Sequence, residues 1–102
     1  ISIASNIVVS GDTSANAHKL YQNVPNPFNG TTTIKFYVPE NENVTIAVYN
    51  MLGEYVAEVT NEIFNAGKHE VTFDSSNLGQ GTYFVRMSTE SFTATKNMNI
   101  VK

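Results

Sequence analysis

An all-β, immunoglobulin-like antiparallel sandwich of about seven strands is what this sequence predicts. Three observations carry the prediction. Apolar residues alternate with polar ones along most of the chain, the period of a strand with one buried face. Turn residues interrupt that alternation every ~8–12 residues, the spacing of short antiparallel strands. No segment holds the ~3.6-residue period of an amphipathic helix. At 102 residues and 11.2 kDa the chain is one domain at most. A chain of this mass buries about 65% of its unfolded surface, enough for a core without covalent staples.

The elements follow in order. Residues 1–9, ISIASNIVV, place Ile1, Ile3, Ile7 and Val9 on one face of a strand. Residues 10–19 are small and polar without periodicity and read as a linker. The chain therefore divides into residues 1–19, an N-terminal apolar strand and polar linker, and residues 20–102, the sandwich. In LYQNVPNPFNG, residues 20–30, Pro25 and Pro27 remove two backbone donors and push Val24 and Asn26 toward extended backbone. This stretch is expected to cross an edge or end of the fold. Residues 31–38 turn Ile34, Phe36 and Val38 inward, and residues 44–49 do the same with Val44, Ile46 and Val48. Joined by the turn at 39–43, they read as a hairpin. Gly53 permits the next turn, and a strand follows over about residues 54–60. Further strands are read at 68–73, 82–88 and 91–101. They add Val71, Phe73, Tyr83, Val85, Met87, Met98 and Ile100 to the expected core. In LGQGTYFV, Leu78 plugs the core end and Tyr83 opens a strand. With its ring buried, its hydroxyl would bond back to nearby backbone as a tyrosine corner.

Little in the chain suggests chemistry. The net charge of −3 argues against nucleic acid, whose recognition calls for a basic patch. No apolar run approaches the ~18 residues of a membrane span. With no cysteine, disulfides and thiolate metal sites are excluded. His18 and His69 have no second ligand at metal spacing and read as a solvated loop residue and a half-buried strand residue. The chain carries no nucleophile elbow, phosphate loop or zinc-helix motif. No catalytic residue, cofactor or metal is therefore assigned. Most of the glutamates fall on turns or outward strand positions, as a solvated surface. The oxygens of residues 39–43 are a weak calcium candidate. Asn29 and Asn43 each open an N-glycosylation pattern. Tyr37, Tyr49 and Phe84 fall opposite the core rows, as a binding stripe or as cross-strand packing.

One resemblance is specific. The segment LYQNVPNPFNGTTTIKF at 20–36 resembles the opening of the type A C-terminal sorting domains of the bacterial type IX secretion system. The likeness continues through VYNMLG at 48–53, AGKHEV at 66–71 and FD at 73–74. It runs on through LGQGTY at 78–83 to Lys96, Asn97, Met98 and the final Ile100-Val101-Lys102. It departs at Val24, where the family usually has an aromatic, at Gly30, where it often has Pro, and at Phe73, where it often has Trp. Residues 1–19 lie outside the pattern.

The resemblance implies a role without a reaction. Such domains direct cargo across the outer membrane of Bacteroidetes-like bacteria, folding in the periplasm and engaging the translocon. A surface sortase often removes them as the cargo reaches the cell surface. Carried over, the recognition residues are Lys96, Val101 and Lys102, with Pro25, Asn26, Pro27 and Phe28 as the second signature block. A different reading makes the chain a subunit of an extracellular filament or surface layer. Residues 1–9 would then be donated to a neighbouring copy through Ile1, Ile3, Ile7 and Val9. The opening on Ile1 rather than Met reads as a processed or trimmed end.

Overall fold

The computed structural model describes residues 17–102, so the strand and linker expected before Ala17 lie outside the described residues. Seven strands follow one another: β1 (Lys19–Leu20), β2 (Thr31–Val38), β3 (Glu42–Tyr49), β4 (Tyr55–Phe64), β5 (Gly67–Asp74), β6 (Gly81–Ser88) and β7 (Thr93–Ile100). They form a three-stranded sheet in the order β1-β2-β5 and a four-stranded sheet in the order β4-β3-β6-β7, all antiparallel. This is the immunoglobulin-like arrangement, with the fourth strand at the edge of the larger sheet.

β2 and β3 are not a hairpin, contrary to the expectation from their matched apolar rows. They belong to different sheets. Ile34, Phe36 and Val38 face Val44, Ile46 and Val48 across the core, and all six are fully buried. Alternation fixes which face of a strand is apolar. It does not say whether two such faces lie side by side or stack.

β4 is longer than expected, running to Phe64. It spends ten residues against the eight of β3, and the two extra residues sit at irregularities opposite Ile46/Ala47 and Val48/Tyr49. These β-bulges, at Val59 and Val56, break the period of two inside the span read from the sequence. The core agrees with the expected list except that Val71 and Tyr83 are half-buried, while Leu20, Phe28 and Ala47 are buried as well. Ala47 is on the outer face, in register with Arg86 and Glu58, whose long side chains flank it from both neighbouring strands. The Tyr83 hydroxyl donates to the Gly79 carbonyl at 2.9 Å, forming the expected corner.

Candidate recognition site

The proline-rich segment is built on a small polar network. Thr32 occupies an inward position in the row Thr32, Ile34, Phe36, Val38, where an apolar residue would ordinarily stand. It is buried together with Asn23. The Asn23 amide donates to Thr32 Oγ1 at 3.0 Å and to the Pro25 carbonyl at 3.0 Å. The Thr32 hydroxyl donates to the same carbonyl at 2.8 Å, and Gln22 supplies the Asn23 side-chain oxygen with a donor at 2.8 Å. Each buried polar side chain thus has a partner, which makes such a network stabilising. Val24 exchanges backbone hydrogen bonds with Thr33 at 3.0 and 2.9 Å. The peptide bonds before Pro25 and Pro27 are cis.

So held, residues 22–28 leave the small sheet and run along the outer edge of β7. Phe28 and Ile100 form a parallel bridge, with Phe28 N–H donating to the Asn99 carbonyl at 3.0 Å and Val101 N–H to the Phe28 carbonyl at 2.9 Å. Asn26 Oδ1 accepts from Asn99 N–H at 2.8 Å, and the Gln22 amide donates to the Asn97 carbonyl at 2.6 Å. The free edge of a terminal strand is a row of unpaired donors and acceptors. Here its C-terminal half is capped by one backbone strand contact and two side chains. The prolines fit because they offer no donor on a path where side chains and two backbone positions do the pairing.

Two of the expected recognition blocks therefore meet. Asn26 and Phe28 bond directly to the end of β7 and to Val101, which follows it. Phe28 is buried in the core, whereas Pro25, Pro27, Val101 and Lys102 are exposed. Lys102 is tied to the β5–β6 connection, its N–H donating to Gln80 Oε1 at 3.1 Å and its ammonium to the Ser75 carbonyl at 3.3 Å. Ser75 is itself buried and donates to the Gly30 carbonyl through N–H at 2.8 Å and through its hydroxyl at 3.0 Å. Lys96 stands apart, five residues before Val101 on an extended strand, or ~16 Å along it. It pairs with the buried Val85, so its side chain starts from the core face of an edge strand and reaches out to solvent. Ile1, Ile3, Ile7 and Val9 lie outside the described residues.

Sequence reasoning missed Gln22, Asn23, Thr32, Ser75 and Asn99. A threonine interrupting an apolar row was the available signal for the Asn23–Thr32 pair. Nothing local marks Asn99 or Ser75, whose partners are 73 and 45 residues away.

The remaining candidates resolve as packing. His18 is not a solvated loop residue: its Nε2 lies 2.6 Å from Glu42 Oε2, and its ring stacks on Phe92 at 4.9 Å. The pair joins the entry to β1 to the far end of the larger sheet, bringing together residues no sequence pattern links. His69 is half-buried as expected, with Nε2–H donating to the Asn65 carbonyl at 2.6 Å and its ring beside Phe36 and Phe64. Two of the oxygens at 39–43 have other partners, Glu42 Oε2 facing His18 and Asn41 Oδ1 accepting from Ala66 N–H, while the Asn43 amide nitrogen donates to Asn61 Oδ1. Among the described residues no group of three or more His, Cys, Asp or Glu gathers as metal ligands. Asn29 and Asn43 are both exposed. Tyr37 lies on the smaller sheet, away from Tyr49 and Phe84, so the three form no single stripe. Gly30 has φ of 96°, which proline cannot adopt, so its departure from the family pattern is one of backbone rather than of packing.

A family model described as the secretion system C-terminal sorting domain matches residues 21–102. No curated protein matches the chain. Among solved structures, the Ig1 domain of mouse SynCAM 2 is similar at 12% identity and a TM-score of 0.42, covering 78% of this chain and 92% of that one.

Proposed function

The chain belongs to the secretion system C-terminal sorting domain family, and from that premise we propose that its C-terminal strand, pinned by residues 22–28, is the element the type IX machinery reads. Membership implies interaction with secretion machinery and export to the cell surface or extracellular space. Among the described residues, no helix is long and apolar enough to cross a membrane. In this reading the domain folds in the periplasm and presents Val101 and Lys102 at a fixed position. The translocon engages that end, and a surface sortase acts on the cargo afterwards. Lys96 contributes a cation farther along the same edge. The domain performs no catalysis.

The observation that carries the reading is the direct bonding of the two signature blocks, Asn26 and Phe28 on one side and Asn99 to Val101 on the other. A signal in extended backbone is readable only if it is held in one conformation, because ordering it on binding would cost ~1–2 kcal/mol per residue. The clasp meets that cost during folding. The filament reading rests on residues 1–9, which lie outside the described residues.

The test is a cargo fused to this chain in a host with a type IX system. Deleting Ile100–Lys102 is expected to leave cargo in the periplasm. Secretion of the truncated form at the wild-type level would refute the sorting role of this end.

A further inference from the structure

Each sheet ends in two edge strands, and three of these edges are guarded. β1 is two residues long and runs on into the segment with Pro25 and Pro27. β4 carries its bulges and starts Glu62 from the core side, in register with the buried Val44. β7 does the same with Lys96 opposite the buried Val85, and residues 22–28 clasp its C-terminal half. Such devices keep an edge from pairing with a further strand. β5 has none of them. It runs eight residues in unbroken register with β2, holds no proline, and among the described residues pairs with no other strand. Its core-side row is Gly67, His69, Val71 and Phe73, in register with Val38, Phe36, Ile34 and Thr32. Those four partners are buried, whereas Gly67, His69 and Val71 are only half-buried, as is Phe64 beside His69. The shortfall lies on the side where β5 has no neighbour.

A strand completing this edge needs apolar residues at a period of two toward the core. It must also avoid like charges opposite the outer row of Lys68, Glu70, Thr72 and Asp74. Residues 1–9, ISIASNIVV, meet both needs. Ile1, Ile3, Ile7 and Val9 share one face, broken only by Ser5, and the segment holds no charged side chain. Nine extended residues span ~30 Å and the eight of β5 ~27 Å. Topology brings the two together. Lys19, Tyr37 and Lys68 form one row across β1, β2 and β5. The chain therefore enters the fold two strand spacings, or ~10 Å, from the N-terminal end of β5. Residues 10–16 reach up to ~23 Å, enough to cross the end of β2. We propose that residues 1–9 add to the free edge of β5 in the same chain, as an antiparallel fourth strand of the smaller sheet. Val9 then lies toward Gly67 and Ile1 toward Asp74, and the apolar row covers Val71 and His69. The proposal is independent of the sorting reading.

The experiment is amide hydrogen exchange on the full chain. In a strand paired on one side, alternate amides point away from the partner. On β5 that outer set is expected to be protected in the wild type, like the set bonded to β2. With Ile3→Asn and Ile7→Asn combined, the outer set should exchange at least ~10-fold faster while the inner set keeps its protection. Exchange of the outer set that is the same in both proteins, fast or slow, would overturn the proposal. Light scattering separates the other occupants, and a monomeric wild type is expected. A wild-type oligomer that the double variant abolishes would mean that residues 1–9 are donated to another copy. An oligomer that survives in the variant would mean that β5 pairs with β5 of a second copy. Either result would overturn the proposal. If the double variant loses protection throughout the chain, Ile7→Asn alone is scored by the same criteria.

Discussion

Thr32 has the size of valine and sits where valine would pack. Its hydroxyl is fully used, accepting from Asn23 and donating to Pro25. Thr32→Val keeps the volume and strands one Asn23 donor in a buried site. The expected loss is about 1–3 kcal/mol, the cost of an unsatisfied buried polar group. Chemical denaturation of the purified chain checks this, and an unchanged midpoint would show that the network does not hold the segment.

At the scale of elements, the larger sheet protects its two edges in different ways. On β4, Glu62 is in register with the buried Val44, and on β7, Lys96 is in register with the buried Val85. Paired residues share a face, so each edge strand starts a charged side chain from its core side. Inward-side charges of this kind discourage pairing with a second sheet. Lys96 thus has a structural explanation at the edge of the sheet. The C-terminal half of β7 is covered by residues 22–28 instead. Asn26→Ala removes the acceptor from Asn99 N–H without touching the core. The Asn99 amide is then expected to exchange with solvent roughly tenfold faster, while Met98, in register with Tyr83, keeps its protection. Equal protection at Asn99 in both proteins would mean that the backbone bridge at Phe28 suffices.

For the whole molecule, stability rests on two sheets closing over one core, with Phe36 near its centre. That ring is fully buried and packs edge-on against Phe64 at 5.0 Å. Phe36→Ala is expected to cost ~3–5 kcal/mol, as truncated core aromatics do. Thermal melting will measure it, and a loss below ~1 kcal/mol would contradict a single shared core. Both sheets carry charges of both signs. Lys19, Lys35 and Lys68 stand on exposed positions of the smaller sheet together with Glu70, in register with Lys35, and Asp74, while the β3–β4 hairpin carries Glu42, Glu54, Glu58 and Glu62.

The sequence by itself determined what each strand buries. Alternation assigned Ile34, Phe36, Val38, Val44, Ile46 and Val48 to the core because side-chain direction in a strand is local, set by a period of two. Ordered motifs at 20–102 pointed to the family for a similar reason, since they are read without knowing what touches what. The prolines at 25 and 27 excluded an interior strand because a missing donor is a property of the residue. Only the tertiary structure decided how the strands pair: that β2 and β3 oppose across the core, that bulges lengthen β4, and that His18 finds Glu42 and Phe92. It also decided that residues 22–28 bond to 97–101. These are contacts between groups far apart in the chain, and their energies depend on the closed sandwich. No local pattern encodes them, which is why the two motif blocks could be read from the sequence but the bonding of Asn26 and Phe28 to residues 99–101 could not.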